Sequence, residues 1–189
     1  VSKLIERVVV QRIHHHCDSN NISNYFQSAY KKHHSTETAL VRVQNDILQA
    51  VDREGGAILV LLDLSAAFDT IDHAILLHHL HTQLGIENTP LQWLKSYLTD
   101  RTQRVIVNNI ISESRDLNYG VPQGSVLGPL LFTLYTHHLS QVINVHNIQH
   151  HLYADDTRLY LAFAPRSPSS KQRAISILEA AVNDIKIWM

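Results

Sequence analysis

Six consecutive apolar residues, 57–62, follow the Gly55-Gly56 pair and stop at Asp63. A run this short, bounded by glycines, reads as a strand, and its unbroken apolarity suits a central strand covered on both faces. The rest of the chain arranges itself around that strand. Upstream, Ser35 can cap a helix reaching about Arg53, with Leu40, Val43, Ile47 and Val51 on one stripe and the glycines ending it. Downstream, Asp72 opens a helix bearing Leu76, Leu80 and Leu84 that stops at Gly85, and Thr89-Pro90 opens another bearing Leu91, Leu94 and Leu98.

Two hairpins are expected next. Residues 103–107 and 110–112 flank Asn108-Asn109, which tolerates positive φ, and residues 149–154 and 158–163 face each other across Asp155-Asp156. Between them a turn over 120–124 leads into a helix over 125–142, and a closing helix carries Ile175, Leu178, Val182 and Ile185. This order predicts an α+β fold, a mainly antiparallel sheet with helices on one face.

At 189 residues and 44% hydrophobic content the chain can build one well-filled domain, or one and a half. Sixteen basic and 17 acidic side chains give a formal charge of −1, so there is no global basic field and any nucleic-acid contact must be local. The single Cys17 excludes an internal disulfide framework and cysteine-rich zinc modules. Fourteen histidines occur in runs such as His14-His15-His16 and His78-His79, but adjacent histidines do not share a helix or strand face, which argues against a zinc site. No apolar run approaches the roughly 20 residues of a membrane span, and the start is not a signal peptide, so an intracellular location is expected. The chain begins with Val1 and stops in an amphipathic helical pattern, which predicts a piece of something longer.

Asp63 and the Asp155-Asp156 pair each follow an apolar strand, so neighbouring strands could carry them to one sheet edge. Clustered carboxylates repel unless a cation compensates them, and Mg²⁺, a hard ion preferring oxygen, is the natural candidate. On spacing alone, a hairpin turn for Asp155-Asp156 and a helix cap for Asp63 are the better account.

The surrounding residues change that balance. LLDLSAAFDTIDH at 61–73, GVPQGSVLGPLLF at 120–132 and YADDTRLY at 153–160 closely resemble, in order, three successive palm motifs of reverse transcriptases. SKLIERVV at 2–9 and QSAYKKHHSTETAL at 27–40 resemble the fingers segments of the non-LTR, LINE-type enzymes. The resemblance covers nearly the whole chain and implies a polymerase palm of split βαβ type: residues 1–56 as partial fingers, 57–189 as a palm truncated at its C-terminal end, and no thumb.

It further implies an RNA-directed DNA polymerase transferring dNTPs to a DNA primer 3′-OH on an RNA template, with Mg²⁺, or Mn²⁺ in its place, as cofactor. Asp63 and Asp155 match the metal-binding aspartates, Asp156 the second acid of the pair, and the Leu64 carbonyl a backbone ligand. Phe68 matches the bulky side chain that excludes a ribose 2′-OH, with core packing as its plainer role. Gln123 and Gly124 match a loop touching nucleotide and template, where a tight turn before a helix is the plainer account. Lys31 matches a triphosphate contact, against a simple solvated lysine. His73 matches a structural residue at the start of its helix. Arg158, Tyr119 and Asn109 depart from the family's more usual residues. The family implies nuclear action, no membrane, and further domains in a parent polyprotein. The alternative is a truncated or decayed fragment that folds or binds nucleic acid without catalysis.

Overall fold

The computed structural model describes residues 2–189. In chain order its elements are α1 (Ser2–Ser19), α2 (Thr36–Glu54), β1 (Gly56–Leu62), α3 (His73–Thr82), α4 (Asn88–Leu98), β2 (Thr102–Gln103), β3 (Ile106–Val107), β4 (Ile110–Ile111) and β5 (Arg115–Asp116). There follow α5 (Gly128–Tyr135), α6 (Leu139–Asn144), β6 (Gln149–Tyr153), β7 (Asp156–Phe163) and α7 (Pro168–Trp188). They gather into two compact units interleaved along the chain. One comprises the stretch up to Ser23 with Ala66–Tyr135, the other Asn24–Ser65 with Thr136–Met189.

The second unit holds the sheet. The Ser35 hydroxyl accepts from the Thr38 N–H at 3.2 Å while the Ser35 N–H donates to Thr38 Oγ1 at 2.9 Å, a reciprocal cap that starts α2 as expected. Gly55, at φ 93°, ends it by donating to the Val51 carbonyl at 2.7 Å in a conformation that suits glycine. All three strands are antiparallel in the order β1-β7-β6, with Gly56 opposite Phe163 and Leu62 opposite Thr157.

Strand β1 is therefore an edge, not the expected central strand, and Leu59 and Leu61 stand 44% and 67% exposed. Its other side chains, Ile58, Val60 and Leu62, join the core of Leu139, Ile143, Ile148, Leu152, Leu159, Leu178, Ala181 and Ile185. An unbroken apolar run satisfies either placement, because alternation shows only when the outward residues are polar. Successive β7 residues point to opposite faces. Leu159 enters the core with α6 and α7, whereas Tyr160 reaches Asp46 of α2, its hydroxyl donating at 2.6 Å. Helices thus cover both faces of the sheet rather than one. The hydrophobic share of burying each such core leucine is roughly 1.5 to 3 kcal/mol.

In the first unit Asp72 caps α3, its Oδ1 accepting from Ala74 N at 2.8 Å and Ile75 N at 2.9 Å. The helix ends at Thr82, short of Gly85, whose φ of 62° belongs to the turn that follows. Asn108 and Asn109 take φ of 48° and 64°, the pair of left-handed residues that a two-residue hairpin needs between β3 and β4.

The helix expected over 125–142 starts later and is interrupted. Ser125 instead caps the start of α5, accepting the Gly128 N–H at 2.9 Å, and Pro129 sits in the first turn of that helix, where its missing N–H costs no helical bond. Farther on, the Leu139 N–H bonds the Thr136 carbonyl at 3.0 Å, a tighter turn that separates α6 from α5. No helix among the described residues is long and apolar enough to cross a membrane.

Candidate active site

In the sheet unit, register decides where the acids fall. Leu62, the last residue of β1, lies opposite Thr157, so Asp63 and Asp156 each lie one residue beyond that last pair. Tyr153 pairs with Asp156, which leaves Ala154-Asp155 as the two-residue turn joining β6 to β7. Asp63, Asp155 and Asp156 therefore all lie at one end of the sheet, with Leu64 following directly. Asp63 and Asp156 are exposed and Asp155 is half-buried.

The side chains are already partly engaged. Asp156 forms an ion pair with Arg158 at 3.5 Å, two residues along the same strand face. The charge of Asp155 reaches Tyr30, whose phenol pKa is raised first by burial, then by Asp155 and Tyr153. The Lys31 ammonium donates to the Asn24 carbonyl. Its charge also acts on His137, whose pKa burial lowers most, with His138 and then Lys31 adding to the effect. The donor set offered at the sheet end is oxygen only, which fits a hard divalent cation. Among the described residues no three His, Cys, Asp or Glu side chains converge as a self-sufficient cage. Mg²⁺ characteristically takes only one or two carboxylates and completes its shell with water and substrate phosphates.

In the other unit, the loop over 120–124 is bound to the segment before α3. Gly120 donates to the Ile71 carbonyl at 2.8 Å and Val121 to that of Phe68 at 3.0 Å. The His73 Nε2–H donates to the Gly120 carbonyl at 2.7 Å from a buried position, so this histidine is structural, as expected. At φ 82° a Cβ on Gly120 would meet Asp69 Cα at 3.0 Å, so both conformation and space require glycine there. Phe68 stacks on the buried Phe132 with ring centres 5.0 Å apart, and Gln123 donates to both carboxylate oxygens of Asp69 at 3.1 Å. Gly124 has φ 75° and open space beside it.

A family described as reverse transcriptase (RNA-dependent DNA polymerase) matches residues 1–188. The chain belongs to the reverse transcriptase family. It is 37% identical over 145 residues, 75% of its length, to the probable RNA-directed DNA polymerase from transposon X-element of Drosophila melanogaster. It is 32% identical over 164 residues, 83% of its length, to the RNA-directed DNA polymerase from mobile element jockey of the same fly. These alignments span only 15% and 18% of those proteins. Both are mobile-element polymerases, in keeping with the LINE-type resemblance. Among solved structures, apo telomerase from Candida tropicalis superposes with a TM-score of 0.65 over 92% of this chain and 36% of the telomerase chain, at 12% identity. That likeness concerns the fold.

Two residues of this reverse transcriptase domain lie inside the fingers-like stretches 2–9 and 27–40, yet their contacts are not legible in the sequence. Glu6 is buried on α1 and its Oε2 accepts from Val126 N at 2.7 Å and Leu127 N at 3.2 Å, just ahead of α5. A charged residue sharing a helix face with Ile13 and Cys17 was the available signal, since an acid on an apolar stripe needs a buried partner. Gln27, also buried, bonds the backbone of the Ala154-Asp155 turn. Gln27 opens the fingers-like stretch 27–40, but nothing in the residues around it points to a partner at 154.

Proposed function

We propose that the chain is the fingers and palm, residues 1–56 and 57–189, of an RNA-directed DNA polymerase that extends a DNA primer with dNTPs on an RNA template. The observation that carries this is the strand register, which brings Asp63, the turn residue Asp155 and Asp156 at the start of β7 to one sheet end inside a chain of this family. In this reading Asp63 and Asp155, with the Leu64 carbonyl, hold divalent cations, and Asp156 lies beside them. Mg²⁺, or Mn²⁺ in its place, would there acidify the primer 3′-OH and neutralise the departing pyrophosphate. Lys31 meets the triphosphate, Gln123 and Gly124 touch the incoming nucleotide, and Phe68 rejects a ribose 2′-OH. None of these roles needs a side-chain nucleophile, because positioning and charge stabilisation supply most of the acceleration.

Primer extension on an RNA template tests the proposal, run with this chain and with the longer polymerase that contains it. The longer protein should extend the primer in Mg²⁺ and fall to background as Asp155→Ala. Residues 1–189 alone should extend it poorly, because a net charge of −1 holds a phosphate backbone weakly. Undiminished synthesis by a folded Asp155→Ala protein would refute the catalytic assignment. Inactivity of the well-folded, duplex-binding longer protein would favour a relic.

A further inference from the structure

We propose that Gln27 is a positioning residue for the acidic turn, its side-chain amide fixing the backbone of Ala154 and thereby the direction in which Asp155 presents its carboxylate. The inference rests on reading that turn as catalytic.

Three observations converge on it. First, residues 26–28 run along the free edge of β6: Leu152 N donates to the Phe26 carbonyl at 2.9 Å, and Ser28 N to the Leu152 carbonyl at 3.0 Å. This contact places the Gln27 side chain level with the point where the β6–β7 pairing ends and the turn begins.

Second, the amide occupies both backbone groups of one turn residue. Its Nε2 donates to the Ala154 carbonyl at 3.3 Å, and its Oε1 accepts from Ala154 N at 3.0 Å and from Ala29 N at 2.8 Å. Gln27 is 4% exposed, so these bonds are shielded from competing water.

Third, Ala154 has φ of 54°. A left-handed conformation is uncommon for alanine, and two-residue hairpin loops ordinarily place glycine, asparagine or aspartate there. The turn's own sequence does not specify this backbone, so the specification must come from outside. A bidentate amide held by a neighbouring segment is such a source. Because Asp155 directly follows Ala154, a change in the Ala154 dihedrals would swing its carboxylate away from the end of β1, where Asp63 stands.

Amide exchange at single-residue resolution on residues 1–189 tests the clamp without relying on activity. The Ala154 amide should be protected in the wild-type chain. Gln27→Met, which keeps the length and removes both polar groups, should accelerate its exchange about tenfold, the loss expected for one hydrogen bond, while the Leu159 amide stays slow. In the longer polymerase, Gln27→Met should lower kcat and raise the Mg²⁺ concentration for half-maximal rate, with primer–template affinity unchanged.

A wild-type Ala154 amide that exchanges freely, or one indifferent to Gln27→Met, overturns the proposal, and the wild-type measurement stands even if the variant fails to fold. Full kcat despite a loosened turn overturns the catalytic half of it. Should Asp155→Ala leave synthesis intact, the reading of the turn as catalytic fails instead, and the exchange data still judge the clamp.

Discussion

Replacing Glu6 removes a contact that spans most of the chain. Its Oε2 accepts two backbone N–H groups, from Val126 at 2.7 Å and Leu127 at 3.2 Å, at the entrance to α5. No acidic residue lies in the first turn of that helix, so Glu6 supplies the negative charge its amino end favours. Hydrogen bonds to a charged group contribute about 1.5 to 3 kcal/mol each, giving roughly 3 to 6 kcal/mol for two. Removing the carboxylate also relieves its own desolvation, which is appreciable at 6% exposure. The net loss for Glu6→Ala should then be roughly 2 to 4 kcal/mol, a large part of a typical domain's stability. Glu6→Gln keeps the shape and one acceptor oxygen and should lose about 1 to 2 kcal/mol. Urea denaturation of residues 1–189 measures both through the midpoint and slope. If Glu6→Gln matches wild type while Glu6→Ala is destabilised, a neutral acceptor in that place suffices and the argument from charge fails. If both lie within about 0.5 kcal/mol of wild type, the contact itself is refuted.

Burial holds the pKa of both His150 and His151 down to about 4, helped at His151 by Arg42 and Arg158. An unfolded histidine titrates near 6.5, so the unfolded state binds more protons between those values. Stability should be full above about pH 6.5 and fall as pH drops towards 4, by up to roughly 3 kcal/mol for each histidine. His151→Leu should flatten that decline, and urea midpoints unchanged between pH 7 and 4.5 in the wild type would contradict the sign. For Phe68, the proposed sugar gate, Ala and Val substitutions in the longer polymerase should raise ribonucleotide relative to deoxynucleotide incorporation. Each should also cost stability, of order 1 to 4 kcal/mol, through the lost Phe132 stack. Unchanged discrimination in both would leave Phe68 with packing alone.

The parts of the fold legible in the sequence are those set by neighbouring residues. Ser35, Asp72 and the Asn108-Asn109 pair specify their caps and turn through bonds that span only a few positions. What could not be read depended on distant partners. The status of β1 as an edge is decided by β7, nearly a hundred residues away, and its outward Leu59 and Leu61 are as apolar as its inward neighbours. The stripe on α7 is offset for a related reason. Ala174 and Ala181 are buried with Leu178 and Ile185, while the expected Val182 packs against the same core only partly buried, since the alanines beside the larger residues carry no apolar bulk to mark them. The break between α5 and α6 follows from a backbone bond at Thr136 that no local composition announces.

The residues of the proposed site divide along the same line. Asp63, Phe68, Gln123, Asp155 and Asp156 could be named because their motifs are contiguous, whereas Glu6 and Gln27 act on those motifs from more than a hundred residues away. Glu6 and Gln27 fall in different compact units. The stretch up to Ser23 belongs to one compact unit and the stretch from Asn24 to the other. Within the first unit Glu6 anchors the residues that follow the Gln123-Gly124 loop, and within the second Gln27 holds the turn carrying Asp155. A glutamine or glutamate at such a place leaves its mark on backbone groups and not on side chains, so the identity of the supported residue can vary while the support persists. Ala154 illustrates this: its methyl group takes no part in the contact, and only its N–H and carbonyl are read. Side-chain substitution at Ala154 that tolerates positive φ should therefore be far milder than substitution at Gln27, the reverse of what a motif read from residues 153–156 would suggest.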